Sequence, residues 1–287
     1  MDNADDSTNP IDTKHIKPFF KWAGNKYHLI EKITKYFPTK YNRYIEPFVG
    51  AGAVAFNIQC NNILINDSNK DLINTYLCLQ QYKESFIADC NNMFITENNT
   101  LEQYTLLRKE FNETTDIYRK SILFVYLNRH CFNGLCRYSG KKGNFNVPMG
   151  RYKNPQCPIK QMTTIMPILN NFKIKNVDYK EILTDSDKGD IVYCDPPYLP
   201  LSDTSSFTSY TKEDFLAKEH IELAMLCYQA SIRGATVIVS NHWTPLSEQL
   251  YTTYKAECET FEVKRVISGR DSNFKAQEVL AVFKAKK

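Results

Sequence analysis

The chain has 287 residues, of which 43% are hydrophobic and 24% charged, an ordinary globular composition with room for one large α/β domain or one domain carrying an inserted smaller one. Nine cysteines with no C-x-x-C pair argue against a disulfide framework or a zinc site and favour a reducing, cytoplasmic setting. A net charge of +4 excludes little, but no run approaches the ~18 apolar residues of a membrane helix, and the polar, acidic start has no signal-peptide core.

Residues 1–14 read as a flexible tail. Lys26 to Phe37 places Leu29, Ile30, Ile33 and Phe37 on one helical face. Tyr44-Ile45 reads as a strand running into the turn Glu46-Pro47-Phe48-Val49-Gly50, and Asn62 to Asn66 as a buried strand closed by Asp67. Helices are predicted over Lys70 to Tyr82, Asp116 to Arg129 and Lys212 to Arg233. Asn171 to Val177 alternates as a strand does. Asp190 to Cys194 and Ala235 to Ser240 read as buried strands, and Phe261 to Ile267 pairs with Glu278 to Phe283 as a terminal hairpin. Strands alternating with helices predict a doubly wound, Rossmann-like α/β sheet. That rhythm breaks over 81–159, which is mainly helical and then rich in Gly, Asn and Arg, so the fold is divided into a domain of 15–80 plus 160–287 and an insertion.

The insertion has a charge signature. Ile117 to Val177 contains eleven basic residues and no Asp or Glu, leaving 25 basic against 32 acidic residues elsewhere. A basic stretch in an otherwise acidic chain points to a polyanionic partner.

Two motifs carry chemistry. Gly50-Ala51-Gly52-Ala53-Val54-Ala55 fits G-x-G-x-x-A between a strand and a helix, and Asp67 follows at the end of the next strand, placed to accept hydrogen bonds from ribose hydroxyls. A nicotinamide dinucleotide and S-adenosylmethionine both carry the adenosine such a site holds. Phe48, a bulky ring ahead of the glycines, favours a cofactor without a pyrophosphate. The second motif, Asp195-Pro196-Pro197-Tyr198, ends a buried strand, where ligands bind in open α/β sheets. Its prolines remove two backbone donors, leaving the Asp195 carboxylate and the Pro196 carbonyl as acceptors beside the Tyr198 ring. Two acceptors gripping an exocyclic amine draw its nitrogen toward a nucleophilic geometry and stabilise the positive charge that develops on attack. Tyr198 offers a face for a base flipped out of a duplex.

These residues resemble the Dam-type DNA adenine-N6 methyltransferases, the D12 class and α group of amino-methyltransferases that methylate adenine in GATC. The resemblance runs from Phe19 to Phe283. It rests on Phe20 to Lys26, Glu46 to Gly52, Asn66-Asp67, Phe132 to Tyr138, Phe145 to Pro148, Gly150 to Tyr152, Asp195 to Tyr198 and Ser240 to His242. It implies S-adenosyl-L-methionine as cofactor, double-stranded DNA as partner, no metal, and a monomer in solution. The halves 15–80 and 160–287 become the cofactor-binding catalytic domain, and 81–159 a target-recognition domain with a β-hairpin loop. Trp22, Lys26, Asp67 and Asp195 match cofactor contacts, joined by Phe48 and Asp178, with Gly50 and Gly52 forming the turn. Asp195, Pro196 and Tyr198 match the holders of the adenine. Lys21 and Arg137 match guanine contacts, and Phe132, Asn133, Leu135 and Pro148 match residues at the central base pairs. Arg137 suits bidentate pairing with guanine, while Lys141, Lys142, Arg151 and Lys153 are assigned to phosphates. The chain departs from the pattern at Asn25, where a glycine is usual, in a longer 139–143 loop, and in its acidic tail. An amine acceptor in RNA or in a protein glutamine, or a nicotinamide-dependent oxidation, is the alternative chemistry.

Overall fold

The computed structural model describes residues 15–139, 143–199, 215, 217–264 and 275–286. The predicted tail, Lys141, Lys142, the first residues of the predicted 212–233 helix and the end of the predicted 261–267 strand lie outside them. In chain order the elements are α1 (Ile30–Thr34), β1 (Arg43–Glu46), β2 (Ile63–Asn66), α2 (Lys70–Asn91), α3 (Leu101–Glu113) and α4 (Ile117–His130), then β3 (Tyr138–Ser139), β4 (Asn144–Phe145), α5 (Ile159–Leu169), β5 (Phe172–Lys175) and α6 (Tyr179–Thr184), and finally β6 (Asp190–Cys194), α7 (Ala217–Ile232), β7 (Thr236–His242), α8 (Pro245–Thr253), β8 (Glu257–Lys264) and β9 (Lys275–Phe283).

Seven strands form one sheet in the order β5-β2-β1-β6-β7-β9-β8. The first five are parallel, and β9 enters antiparallel between β7 and β8. The predicted terminal hairpin is present, with Phe261 opposite Glu278. Side chains alternate across the sheet because the strand period is two. Tyr44, Ile65, Tyr193 and Ile238 face one apolar layer, together with Tyr76 of α2, Leu127 of α4 and Ile165 of α5. Ile45, Leu64, Val192 and Val239 face the other, with Leu183 of α6, Cys227 of α7 and Tyr251 of α8. Covered on both faces, β2, β6 and β7 are buried along their whole length, which is why they read as continuous apolar runs.

Helix starts are set by short polar caps: Asn69, Thr100, Asp116, Asp178 and Thr244 each accept a first-turn backbone N–H. Three segments differ from the pattern reading, the first being the helix expected after the glycine turn, where only a tight turn at Ala55–Asn57 forms. Only Tyr27–Leu29, a single tight turn, and α1 form in the predicted 26–37 helix. In contrast, α2 continues past Tyr82 to Asn91, broken at Lys83, where φ is 51°. Phe86, Ile87 and Cys90 are buried beyond that break, so the apolar spacing continues across it. The insertion adds α3, α4 and the β3–β4 hairpin. Its Tyr104, Phe111, Phe124 and Phe145 belong to the same apolar cluster as the sheet residues.

Strand order reverses between β1 and β6, since β2 and β5 extend to one side and β7 to the other. The crevice at the carboxyl ends of these strands is where an open α/β sheet binds its ligand. Glu46, Asp67, Asp195 and Ser240 all sit there.

Candidate active site

Three strand ends are tied by one buried amide. Asn66 Nδ2 donates to the carbonyls of Pro47 and Val177 at 3.0 Å each, and its Oδ1 accepts from Val177 N at 2.9 Å. This fixes the loops after β1, β2 and β5 against one another. Asp67 then accepts from Gly50 N at 3.0 Å and from Asn69 N at 2.9 Å. Gly50 and Gly52 have φ of 46° and 72°, the left-handed region that side chains avoid. A Cβ on Gly50 would meet the Trp22 indole, and one on Gly52 would run into the Phe56 ring. Trp22 therefore lies directly on the glycine turn, and the Tyr76 hydroxyl donates to Gly50 O at 2.8 Å beneath it.

The Asp195 carboxylate, whose side chain is only 20% exposed, takes Lys26 Nζ at 2.9 Å and the Ser240 hydroxyl at 2.6 Å. Burial pushes its pKa up; Lys26 and Ser240 oppose that rise by stabilising the anion. Lys26, itself buried, also donates to Gly24 O and lies 4.6 Å from the centre of the Tyr198 ring. Tyr198 is seated from its far side. Its hydroxyl donates to Glu278 Oε2 at 3.2 Å, and His242 meets its ring in a T-shaped contact at 4.8 Å. Burial, then the charges of Asp195 and Glu278, drive the phenol well above its usual range, so it stays neutral. Glu46, at the end of β1, is buried and accepts from the Tyr44 hydroxyl at 2.9 Å. Desolvation holds its carboxyl well above the ordinary value, and the nearby charges of Asp195 and Asp67 add to the rise.

Other predicted residues fall into two groups. Phe48 packs on Tyr179 and Phe215 at 5.1 and 5.8 Å, on the α6–α7 side of the turn. Asp178 caps α6 through Lys180 N at 2.9 Å and is exposed. The remainder surround the insertion loops. Lys21 is gripped by Asn128 of α4, whose Oδ1 accepts from Lys21 N at 2.9 Å and whose Nδ2 donates to Lys21 O at 2.8 Å. The Lys21 ammonium lies 3.8 Å from the Tyr152 ring centre, and its stem packs against Gly134. Phe132 is 44% exposed, with its N–H donating to Pro148 O at 2.9 Å. Asn133, Arg137, Pro148 and Arg151 are exposed, and Leu135 is half-buried. Arg137 Nε donates to Asn146 Oδ1 at 2.9 Å. One surface thus carries Lys21 and the 132–137 and 146–151 loops.

Glu46, Asn128 and Glu278 were not singled out as site residues in the sequence. Glu46 and Asn128 had a usable signal, a polar residue within a stretch that is otherwise apolar. Glu278 had none, because it reaches the site only through the pairing of β9 with β7. Among the described residues no cluster of His, Cys, Asp and Glu could hold a metal ion, and no helix is long and apolar enough to cross a membrane.

The family of D12 class N6 adenine-specific DNA methyltransferases matches residues 22–267. The DNA adenine methylase of Serratia marcescens is 39% identical over 276 residues, covering 94% of this chain and 100% of that protein. That of Vibrio cholerae serotype O1 is 39% identical over 273 residues, covering 94% and 97%. That of Escherichia coli strain K12 is 36% identical over 272 residues, covering 94% and 96%.

Proposed function

The chain belongs to the D12 class N6 adenine-specific DNA methyltransferases, and from that membership we propose that it methylates adenine in GATC, holding S-adenosylmethionine at the glycine turn and the flipped base over Asp195-Pro196-Pro197-Tyr198. The character of the crevice supports this cofactor. Glu46, Asp67 and Asp195 lie near one another, with Lys26 paired to Asp195. A pyrophosphate would meet carboxyl groups there, whereas a cofactor bearing positive charge and no phosphate suits them. Asp67 has accepted two amides and, as a carboxylate, keeps further lone pairs for ribose hydroxyls. Trp22 offers a ring surface on the turn and Phe48 one beside α6, whose first turn Asp178 caps.

When bound, S-adenosylmethionine supplies an electrophilic methyl group on a sulfonium sulfur. The chain's own part is to prepare the amine. Asp195 and the Pro196 carbonyl accept its two N–H bonds, which raises the availability of the nitrogen lone pair and stabilises the charge formed on attack. Lys26 and Ser240 favour the ionised form of Asp195 against its burial and aim it, and the carboxylate is an acceptor for the proton the alkylated nitrogen sheds. Tyr198 stacks on the base. A base inside a duplex cannot reach a pocket at the strand ends, so it must swing out, with Phe132 and Asn133 filling the gap. Lys21 and Arg137 read guanines, Leu135 and Pro148 flank the central pairs, and Arg151, Lys141 and Lys142 hold phosphates. One chain carries both the pocket and the reading loops, so a monomer suffices.

The observation carrying this reading is the Asp195 carboxylate, fixed between Lys26 and Ser240 at the end of β6. The test uses radiolabelled S-adenosylmethionine and short duplexes with and without GATC. Label should enter only the GATC duplex, and Asp195→Ala should abolish transfer while DNA binding survives. Equal labelling of both duplexes would remove the sequence assignment, and an active Asp195→Ala variant would remove the catalytic one.

A further inference from the structure

The tetrapeptide Asp195-Pro196-Pro197-Tyr198 lacks two of the backbone donors by which loops normally fasten themselves. What fastens it comes from the end of β7. Ser240 donates to Asp195 at 2.6 Å. Asn241 Oδ1 accepts from Leu199 N at 3.1 Å, and His242 Nδ1 lies 2.6 Å from Leu199 O. Three consecutive residues thus hold the first residue of the tetrapeptide and the residue that follows it.

Asn241 is the centre of this arrangement. It is fully buried, and all the hydrogen-bonding capacity of its amide is used. Oδ1 also accepts from its neighbour His242 N at 2.8 Å. Nδ2 donates to the Tyr251 hydroxyl at 3.0 Å and meets His220 Nδ1 at 3.3 Å. The two backbone N–H groups fix which amide atom is the oxygen, since a flipped amide would set donors against donors. The orientation in turn makes His220 Nδ1 an acceptor, placing the ring proton on Nε2. The Pro197 carbonyl lies beside that ring. Asn241 therefore touches the loop directly at Leu199, and it touches His220, whose ring lies near Pro197.

We propose that Asn241 is a positioning residue for methyl transfer: it sets the path of the Asp195–Leu199 segment, and hence where the Asp195 and Pro196 oxygens meet the amine, without contacting base or cofactor. This rests on the assignment of the tetrapeptide as the amine-binding segment. An error of about 1 Å in such a segment lowers turnover roughly 100-fold while leaving binding surfaces intact.

The test measures single-turnover methyl transfer in the full-length chain with saturating S-adenosylmethionine and a duplex that the wild type methylates. Equilibrium binding of each ligand is measured alongside. Asn241→Ala should lose roughly 10- to 100-fold in rate, with affinity for cofactor and for duplex within about twofold of wild type. Asn241→Asp keeps the shape and the acceptor to Leu199 N, and it faces the same His220 and Tyr251. Its second oxygen can accept from the Tyr251 hydroxyl and from His220 once the neutral ring carries its proton on Nδ1, so Asn241→Asp should recover most of the rate that Asn241→Ala loses. A rate within threefold of wild type in a folded Asn241→Ala, or a loss lying wholly in cofactor or DNA affinity, overturns the proposal. If Asn241→Ala does not fold, Asn241→Ser, too short to hold Leu199 N, takes its place under the same criteria: a rate within threefold of wild type, or a loss wholly in affinity, overturns the proposal. Asp195→Ala run in parallel separates the two assignments, because an active Asp195→Ala variant would indict the tetrapeptide rather than Asn241.

Discussion

A guanidinium grips a guanine edge only when two of its nitrogens face outward together, and Arg137 is held in a manner that allows this. Its Nε is taken by Asn146 at 2.9 Å, and the side chain is exposed. Replacing Arg137 with Ala should cost about 1–3 kcal/mol of discrimination at one base pair. The check is kcat/KM on GATC against duplexes changed at each position; a uniform loss would make Arg137 a phosphate contact instead. Glu46 is the opposite case, a residue at odds with stability. Its folded pKa is raised well above the ordinary value by burial, so the folded state retains a proton the unfolded chain releases. Stability is then lost as pH rises from the unfolded value through the raised one. Glu46→Gln removes that penalty. Its Tm should exceed that of wild type more at pH 8 than at pH 5, by about 2–4 °C for each kcal/mol recovered. A Tm difference independent of pH would refute the account.

Among the elements, the glycine turn has least tolerance. Gly52 combines a φ of 72° with a Phe56 ring where a Cβ would stand. That ring cannot simply move, being packed on Tyr76 and stacked on Phe172 at 5.8 and 5.9 Å. Gly52→Ala should destabilise the protein by about 1–3 kcal/mol in urea denaturation. Wild-type stability in that variant would mean that the left-handed turn is not required. The same scale shows how pattern reading succeeds and fails. Asp190 to Cys194 is a strand with the boundaries its apolar run predicts, because both faces are covered. The 26–37 segment carries a helical stripe yet forms only one tight turn and α1. Lys26 at its start is held instead by Asp195 and Gly24.

Among the buried histidines of the described residues, His130 lies in α4 and His220 in α7. His130 and His220 are each pushed down to about 4, chiefly by burial. Both are neutral when folded and take up protons when unfolded, so their contribution to stability is complete above about pH 6.5 and is lost as pH falls toward about 4. Urea denaturation followed from pH 8 to pH 4 should show stability falling through that window, and less steeply in His220→Gln. A flat profile down to pH 4.5 would count against it. The α3 and α4 helices and the sheet share an apolar cluster, so acid weakening at His130 reaches the sheet.

Whatever depends on neighbours in the chain was legible before any fold was known: the buried strands, the glycine turn, the proline-stiffened tetrapeptide, the acid-free basic stretch and the family they resemble. Period and local sterics decide those features, and they act over a few residues. What only tertiary structure decided is which distant groups meet. Lys26 lies 169 positions from Asp195, Lys21 lies 107 from Asn128, and Tyr198 lies 80 from Glu278. No local pattern encodes these pairings. The ionisation of Glu46 and Asp195 follows from how much water and which charges the assembled sheet leaves beside them, and that is a property of the folded interior alone.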